Sequence, residues 1–187
     1  MRPYFDNIRG RPSFALLPAM LRPSSRGTIR LRSSDPRDDP LIDPKYLSHP
    51  DDVVKVVEAM KLALEIGESD VFRRRFNSRL YPVPMPGCEG HPFRSDRYLE
   101  CAAKTLTLTI YHPVGTCKMV EPGADADRQG VVDTELRVLG GVSGLRVVDA
   151  SVMPDIVSGN TNAPVVMIAE RAADLIRFGR ALLPEAA

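Results

Sequence analysis

Apolar residues recur with the helical period of 3.6 in several segments of the chain. The first segment begins at Asp51 or Asp52, and its apolar face consists of Val53, Val56, Val57, Met60 and Leu64. Gly67 interrupts this pattern, and a second helical segment follows from Ser69. Ser95 is a suitable N-cap for a third helix that extends to about Lys104.

The last helical pattern lies near the C-terminal end of the sequence. Asn162 can cap this helix, Pro164 suits its first turn, and Gly179 can end it. Its predicted buried stripe consists of Val165, Ile168, Ala169, Ala172 and Leu175 or Ile176.

Alternation of polar and apolar residues predicts several strands. The clearest pattern is Thr105–His112, in which Leu106, Leu108 and Ile110 share one face with His112. Leu145–Asp149 is β-branched and apolar, which is typical of a fully buried strand. Other short strands are predicted at 27–32, 130–133 and 136–139.

Composition narrows the class of protein. Of 187 residues, 43% are apolar and 26% charged, as in an ordinary soluble globular protein, and no run approaches a transmembrane segment. The net charge of +1 gives no reason to expect a nucleic-acid or membrane partner. The 17 prolines exceed the usual share of about 5%, and they predict long loops in the first 50 residues and at 81–93.

The cysteines and the N-terminal residues give little further information about function. Cys88, Cys101 and Cys117 are an odd number without close spacing, so we expect neither a disulfide framework nor a CxxC metal site. The N-terminal residues lack the apolar core of a secretory signal, which favours a reducing, cytoplasmic location.

His112 is the strongest candidate for chemistry. It ends the predicted strand on the apolar face, just before Pro113 and Gly115. A general base needs such a placement, held by a rigid element at the edge of a cavity. From position alone, the alternative interpretation, a core histidine bonded to the backbone, is slightly favoured.

A second candidate is the small, polar run Ser158–Asn162, which precedes the last helix. Free N–H groups at a helix N-terminus favour an anion or a polarised oxygen. An ordinary capped helix start explains the same residues. No pair of side chains has metal-ligand spacing on one helix face, and no GxSxG elbow is present, so we predict neither a metal site nor a nucleophilic serine.

Several ordered motifs resemble the glucose–methanol–choline (GMC) oxidoreductases, a family that oxidises alcohols with FAD. The segment Tyr111–Met119 (YHPVGTCKM) is similar to the histidine motif of that family. The resemblance extends from about residue 15 to 178, through Leu21–Gly27, Pro40–Leu47, Gly130–Asp133, Gly144–Pro154, Ser158–Pro164 and Ile168–Ile176.

The resemblance implies roles for two polar side chains. His112 matches the catalytic histidine, which accepts the proton of the substrate hydroxyl while a hydride passes to flavin N5. Asn160 matches the second active-site position, which hydrogen-bonds the same oxygen. A small-molecule alcohol is therefore the implied substrate.

The resemblance also implies cofactor contacts. Asn162 and Ala163 match the helix start under the flavin pyrimidine, where N–H groups favour the anionic reduced flavin. Asp149 and Ala150 match a strand end that approaches the FAD pyrophosphate.

The Rossmann-type GxGxxG of that family is not found in the sequence. We therefore expect an α+β fold in which residues 1–118 belong to the antiparallel sheet and helices of a GMC substrate domain. Residues 119–187 are expected to contribute a strand and a closing helix to an absent FAD-binding domain. FAD binding and activity would then need an N-terminal FAD-binding half. The alternative is a non-catalytic remnant or interaction module that keeps only the fold.

Overall fold

The computed structural model describes residues 2–6, 8–121 and 130–179. The chain divides into two compact units, residues 1–108 and residues 109–187. The predicted return to the FAD-binding domain after residue 118 includes 122–129 and 180–187, which lie outside the described residues.

The first unit contains four helices and a two-stranded antiparallel sheet among its described residues. The helices are α1 (Arg2–Asp6), α2 (Pro50–Gly67), α3 (Asp70–Phe76) and α4 (Asp96–Leu106). The strands are β1 (Thr28–Arg30) and β2 (Leu41–Asp43), and Ile29 pairs with Ile42. The sheet is therefore much smaller than the one expected for a whole substrate domain.

Helices α2 and α4 pack together and form the core of the first unit. Its buried members are Val57, Met85, Cys88, Tyr98, Leu99 and Ala102. The predicted helix starts are confirmed at Ser69 and Ser95, where the Ser95 hydroxyl accepts a hydrogen bond from the Tyr98 N–H. The α2 helix begins at Pro50, and the ring of His49 caps it by accepting from the Asp51 N–H.

The predicted strand over Thr105–His112 is wrong. The α4 helix continues through Leu106, and the Thr107 hydroxyl donates to the Ala103 carbonyl at its end. A strand also needs a hydrogen-bonded neighbour, and no described residue pairs with residues 107–112 in this way. Leu108 is consequently 75% exposed.

The expectation that the cysteines do not pair is also wrong. Cys88 and Cys101 form a disulfide, with their Cα atoms 5.8 Å apart, while Cys117 is free. The pairing depends on loop 81–93 folding back onto α4, which the 13-residue separation in sequence did not reveal.

The described part of the second unit consists of short paired segments, a 3-10 turn at Ala150–Val152 and helix α5 (Asn162–Phe178). The predicted strands at 130–133, 136–139 and 145–149 are reduced to single bridges, which join Val132 to Val138 and Arg137 to Arg146. Leu145 is half exposed, so full burial of its segment was a wrong prediction. The core of this unit contains Val132, Leu136, Val152 and Ala172.

Candidate active site

The segment that carries His112 is attached to the 3-10 turn of the second unit. The Cys117 N–H donates to the Ser151 carbonyl, and the Met119 N–H donates to the Val152 carbonyl, both at 2.9 Å. Gly115 makes the preceding turn with a φ of 85°, a conformation that favours glycine. Two hydrogen bonds thus fix the end of the histidine motif against the 3-10 turn, in which Val152 is fully buried.

The same 3-10 turn leads into residues 158–161, and this connection brings Asn160 to His112. The His112 Nε2 atom lies 3.2 Å from Asn160 Oδ1, although 48 residues separate them in sequence. The imidazole is half-buried and Asn160 is exposed. The arrangement leaves the Nε2 side of the ring near solvent, where a small molecule can approach it.

The other ring nitrogen of His112 is in contact with two oxygen atoms. Nδ1 lies 3.1 Å from the main-chain carbonyl oxygen of Tyr111 and 3.1 Å from Thr161 Oγ1. Tyr111 adopts a left-handed backbone conformation with a φ of 63°, which is uncommon for an aromatic residue and is typical of functional sites. The ring is therefore held from its Nδ1 side.

These contacts suit a group that accepts a proton. A neutral imidazole has one N–H and one lone pair, while the protonated ring donates from both nitrogens. With both nitrogens protonated, His112 can donate to Asn160 Oδ1, to the Tyr111 carbonyl and to Thr161 Oγ1 together. The geometry thus provides an oxygen acceptor for each proton of the ring.

Helix α5 begins next to this histidine. Thr161 is its N-cap, one residue before the predicted Asn162, and its side chain makes no capping hydrogen bond. In the described part of the chain, no oxygen accepts a hydrogen bond from the N–H groups of Asn162 and Ala163. These groups and the positive end of the helix dipole can interact with an anionic or polarised group.

The remaining predicted cofactor residues lie in the 3-10 turn. The Asp149 carboxylate caps this turn by accepting from the Ser151 N–H at 2.8 Å, and Ala150 is its first residue. The Ser151 hydroxyl oxygen is buried and has no hydrogen-bond partner among the described residues. A buried hydroxyl normally has a partner, so this atom is available to one outside the described residues.

The structure therefore brings His112 and Asn160 together and places Asn162 and Ala163 at the adjoining helix start. His49 and His91 lie in the first unit, as an N-cap and in the loop respectively. Sequence reasoning missed Thr161 as a partner of His112. The only signal was a threonine before a helix, which predicts a cap and gives no indication of a contact with a histidine.

Across the described ranges, no three His, Cys, Asp or Glu side chains are grouped closely enough to hold a metal ion. The described helices also include none whose length and apolar content would allow it to cross a bilayer.

Comparison with known proteins finds a matching family and similar proteins over most of the sequence. The family model described as GMC oxidoreductase matches residues 23–169. Glucose dehydrogenase [FAD, quinone] of Drosophila melanogaster is 44% identical over 165 residues, which are 88% of this chain and 26% of that protein. Mitochondrial choline dehydrogenase of Mus musculus is 41% identical over 162 residues, or 87% of this chain and 25% of that protein.

A solved structure has a similar fold. An FAD-dependent oxidoreductase from Chaetomium thermophilum has a TM-score of 0.70 and 29% identity, and the match covers 84% of this chain and 25% of that one. The chain spans about a quarter of the length of the curated relatives it matches. The ordered motifs, the family model and these similarities show that the chain belongs to the GMC oxidoreductase family.

Proposed function

We propose that this chain supplies the proton-accepting part of an FAD-dependent oxidoreductase that acts on the CH–OH group of an alcohol. The observation that carries the proposal is the pair His112 and Asn160, whose polar atoms are 3.2 Å apart at an accessible edge of the second unit. FAD and dehydrogenase activity belong to relatives such as glucose dehydrogenase [FAD, quinone] of Drosophila melanogaster.

His112 acts as the general base in this proposal. A substrate hydroxyl that approaches Nε2 from solvent meets a lone pair when the ring carries its proton on Nδ1. The proton then moves from the hydroxyl oxygen to Nε2, and the Tyr111 carbonyl and Thr161 Oγ1 accept from Nδ1–H throughout. A positioned base of this kind contributes about 10²- to 10⁴-fold to a rate.

Asn160 orients the same hydroxyl. Its carboxamide has two donors and one acceptor, and it lies beside the nitrogen that receives the proton. Its oxygen can accept from the newly formed Nε2–H, while its NH₂ group can donate to the substrate oxygen as negative charge develops there.

The residues present fit an FAD ring system next to this pair. The unpaired N–H groups of Asn162 and Ala163 at the start of α5 would hold the pyrimidine edge of the flavin, and Asp149 and Ala150 would lie near its pyrophosphate. The buried, unpartnered Ser151 hydroxyl in the same turn supports this fit. Bound FAD would supply the hydride acceptor.

In the same proposal, FAD is held jointly with an N-terminal FAD-binding half, since the sequence has no GxGxxG. Residues 1–118 would belong to the substrate-binding domain and residues 119–187 to the FAD-binding domain. A small-molecule alcohol is the proposed substrate.

Co-expression of the chain with the FAD-binding half of a GMC relative tests the proposal. We expect a flavin-containing assembly that reduces a dye in the presence of an alcohol. His112→Ala should lower this rate about 10²- to 10⁴-fold because it removes the base. His91→Ala removes an exposed histidine of the other unit and should leave the rate unchanged.

A yellow, folded assembly with no dye reduction for any primary or secondary alcohol would show a non-catalytic remnant. Equal rates for His112→Ala and the unmodified chain would exclude His112 as the base.

A further inference from the structure

Thr161 occupies the N-cap position of α5 without capping it. A threonine at this position ordinarily accepts a hydrogen bond from a backbone N–H of the first helical turn, which stabilises the helix. Here the side chain makes no such bond, and its Oγ1 lies 3.1 Å from His112 Nδ1. The residue is only 8% exposed, so its hydroxyl is held in this position by its surroundings.

The neighbouring carbonyl decides which partner donates. The Tyr111 carbonyl oxygen, also 3.1 Å from Nδ1, can only accept a hydrogen bond. If Nδ1 carried a lone pair, that lone pair would face the carbonyl oxygen directly. The contact is favourable only when Nδ1 carries the proton, and Thr161 Oγ1 is then a second acceptor of the same N–H. The atom nearest to Nε2, Asn160 Oδ1, is also an acceptor. A half-turn of that carboxamide brings its NH₂ group to Nε2, so Asn160 suits either tautomer, whereas the main-chain carbonyl suits only one.

We propose that Thr161 is a positioning residue for His112. The Thr161 hydroxyl oxygen and the Tyr111 carbonyl oxygen together hold the ring proton on Nδ1. The lone pair of Nε2 then faces the Asn160 carboxamide. The inference rests on the proposed role of His112 as a base. The Thr161 side chain contacts the histidine instead of capping α5, and this contact favours the tautomer that can accept a proton at Nε2. The missing cap leaves the Ala163 N–H free, since the next residue, Pro164, has no N–H.

Nuclear magnetic resonance of the 187-residue chain labelled with ¹⁵N-histidine tests this directly. The chain has three histidines, and the signals lost in His112→Gln identify those of His112. At alkaline pH, where imidazole is neutral, we expect the Nδ1–H tautomer for His112. A dominant Nε2–H tautomer would overturn the proposal, because Thr161 would then be the donor.

Variants separate positioning from mere packing. Thr161→Val keeps the shape of the side chain and removes the hydroxyl, so we expect the ratio of Nδ1–H to Nε2–H to fall on the order of fivefold, the change that one neutral hydrogen bond makes. Thr161→Ser keeps the hydroxyl and should restore the ratio. Thr134→Val makes the same replacement at an exposed threonine of the same unit and should change nothing.

Two results would contradict the inference: an unchanged ratio in Thr161→Val, or an equal change in Thr134→Val. If Thr161→Val does not fold, Thr161→Ala provides the same removal of the hydroxyl with a smaller side chain. The tautomer of His112 in the unmodified chain still tests the proposal in that case.

The measurement needs neither flavin nor alcohol. A chain with the expected tautomer whose assembly reduces no dye would therefore refute the proposed function and leave the positioning role of Thr161 intact.

Discussion

The carboxylate of Asp52 connects the irregular N-terminal segment to the start of α2. It is 1% exposed and accepts hydrogen bonds from the N–H groups of Ser24 and Ser25 and from the Ser25 hydroxyl, at 2.6 to 3.0 Å. Burial by itself raises the pKa of this carboxyl, but the hydrogen bonds from Ser25 and Ser24 outweigh burial and hold the pKa below its ordinary value. The charged form is thus the one that the fold stabilises.

We expect Asp52→Asn to lower the free energy of unfolding of the first unit by about 2 kcal/mol, because charge-assisted hydrogen bonds are replaced and an NH₂ group faces N–H donors. Since the pKa is depressed in the folded state, the contribution of Asp52 is complete above the unfolded value of about 3.9 and is lost as the pH falls through the lower folded value. Urea unfolding followed by circular dichroism over this pH range measures it.

Asp51 is the matched control, since it lies in the same first turn of α2 but is exposed. Asp51→Asn should cost a few tenths of a kcal/mol, the usual size of an exposed charge–dipole interaction. Equal losses for the two variants would show that the buried hydrogen bonds of Asp52 contribute nothing specific.

At the scale of elements, the chain between α3 and α4 is anchored at two points. Glu68, just after α2, accepts from the Leu80 N–H at 3.1 Å and from Arg94 at 2.9 Å. The bond from the Leu80 backbone, with a smaller contribution from Arg94, keeps the pKa of Glu68 below its ordinary value despite burial. The second anchor is the disulfide between Cys88, which is fully buried, and Cys101 on α4.

Reduction of this disulfide should destabilise the first unit by about 3 kcal/mol, the value expected for a closed loop of this length. Urea unfolding with and without a reductant measures the difference. The double variant Cys88→Ser, Cys101→Ser should unfold at the lower urea concentration in both conditions. Cys117→Ser removes the free thiol and should retain the full response to reductant; an unchanged midpoint on reduction would contradict a structural role for the bond.

At the scale of the whole molecule, the start of helix α5 presents an exposed apolar surface. The C-terminal half of α5 buries Ala172 and Leu175 and carries charged residues on its other faces, where Ile176 is also exposed. Its first two turns, residues 163–169, contain only apolar side chains, and Val166 and Met167 are more than half exposed. A helix that is apolar all round is typical of a protein interior, which agrees with the proposed FAD-binding half.

We therefore expect Val166→Asp or Met167→Asp to prevent co-purification with that half, because a carboxylate would be buried without a partner. The core of the second unit is on another side of the helix, so circular dichroism of the chain alone should be unchanged. Arg171→Asp introduces a carboxylate at an exposed position of the C-terminal half and should still co-purify. Retention of the assembly in all three variants would exclude the start of α5 as its interface.

The sequence predicted those features that depend on local interactions. The starts of α3 and α4 follow from Ser69 and Ser95, and the end of α5 follows from Gly179, which adopts the left-handed conformation expected there. The motifs around His112 and Asn160 were also sufficient to indicate the GMC family, which the family model confirms.

Tertiary structure alone decided the features that depend on distant neighbours. Thr105–His112 alternates like a strand, but the pattern carries no information about a pairing partner, and α4 extends into it through Leu106. The pairing of Cys88 with Cys101 required the path of the intervening loop. Thr161 could cap its own helix or contact His112, and only the approach of a segment 49 residues away in sequence determined that its hydroxyl contacts the histidine.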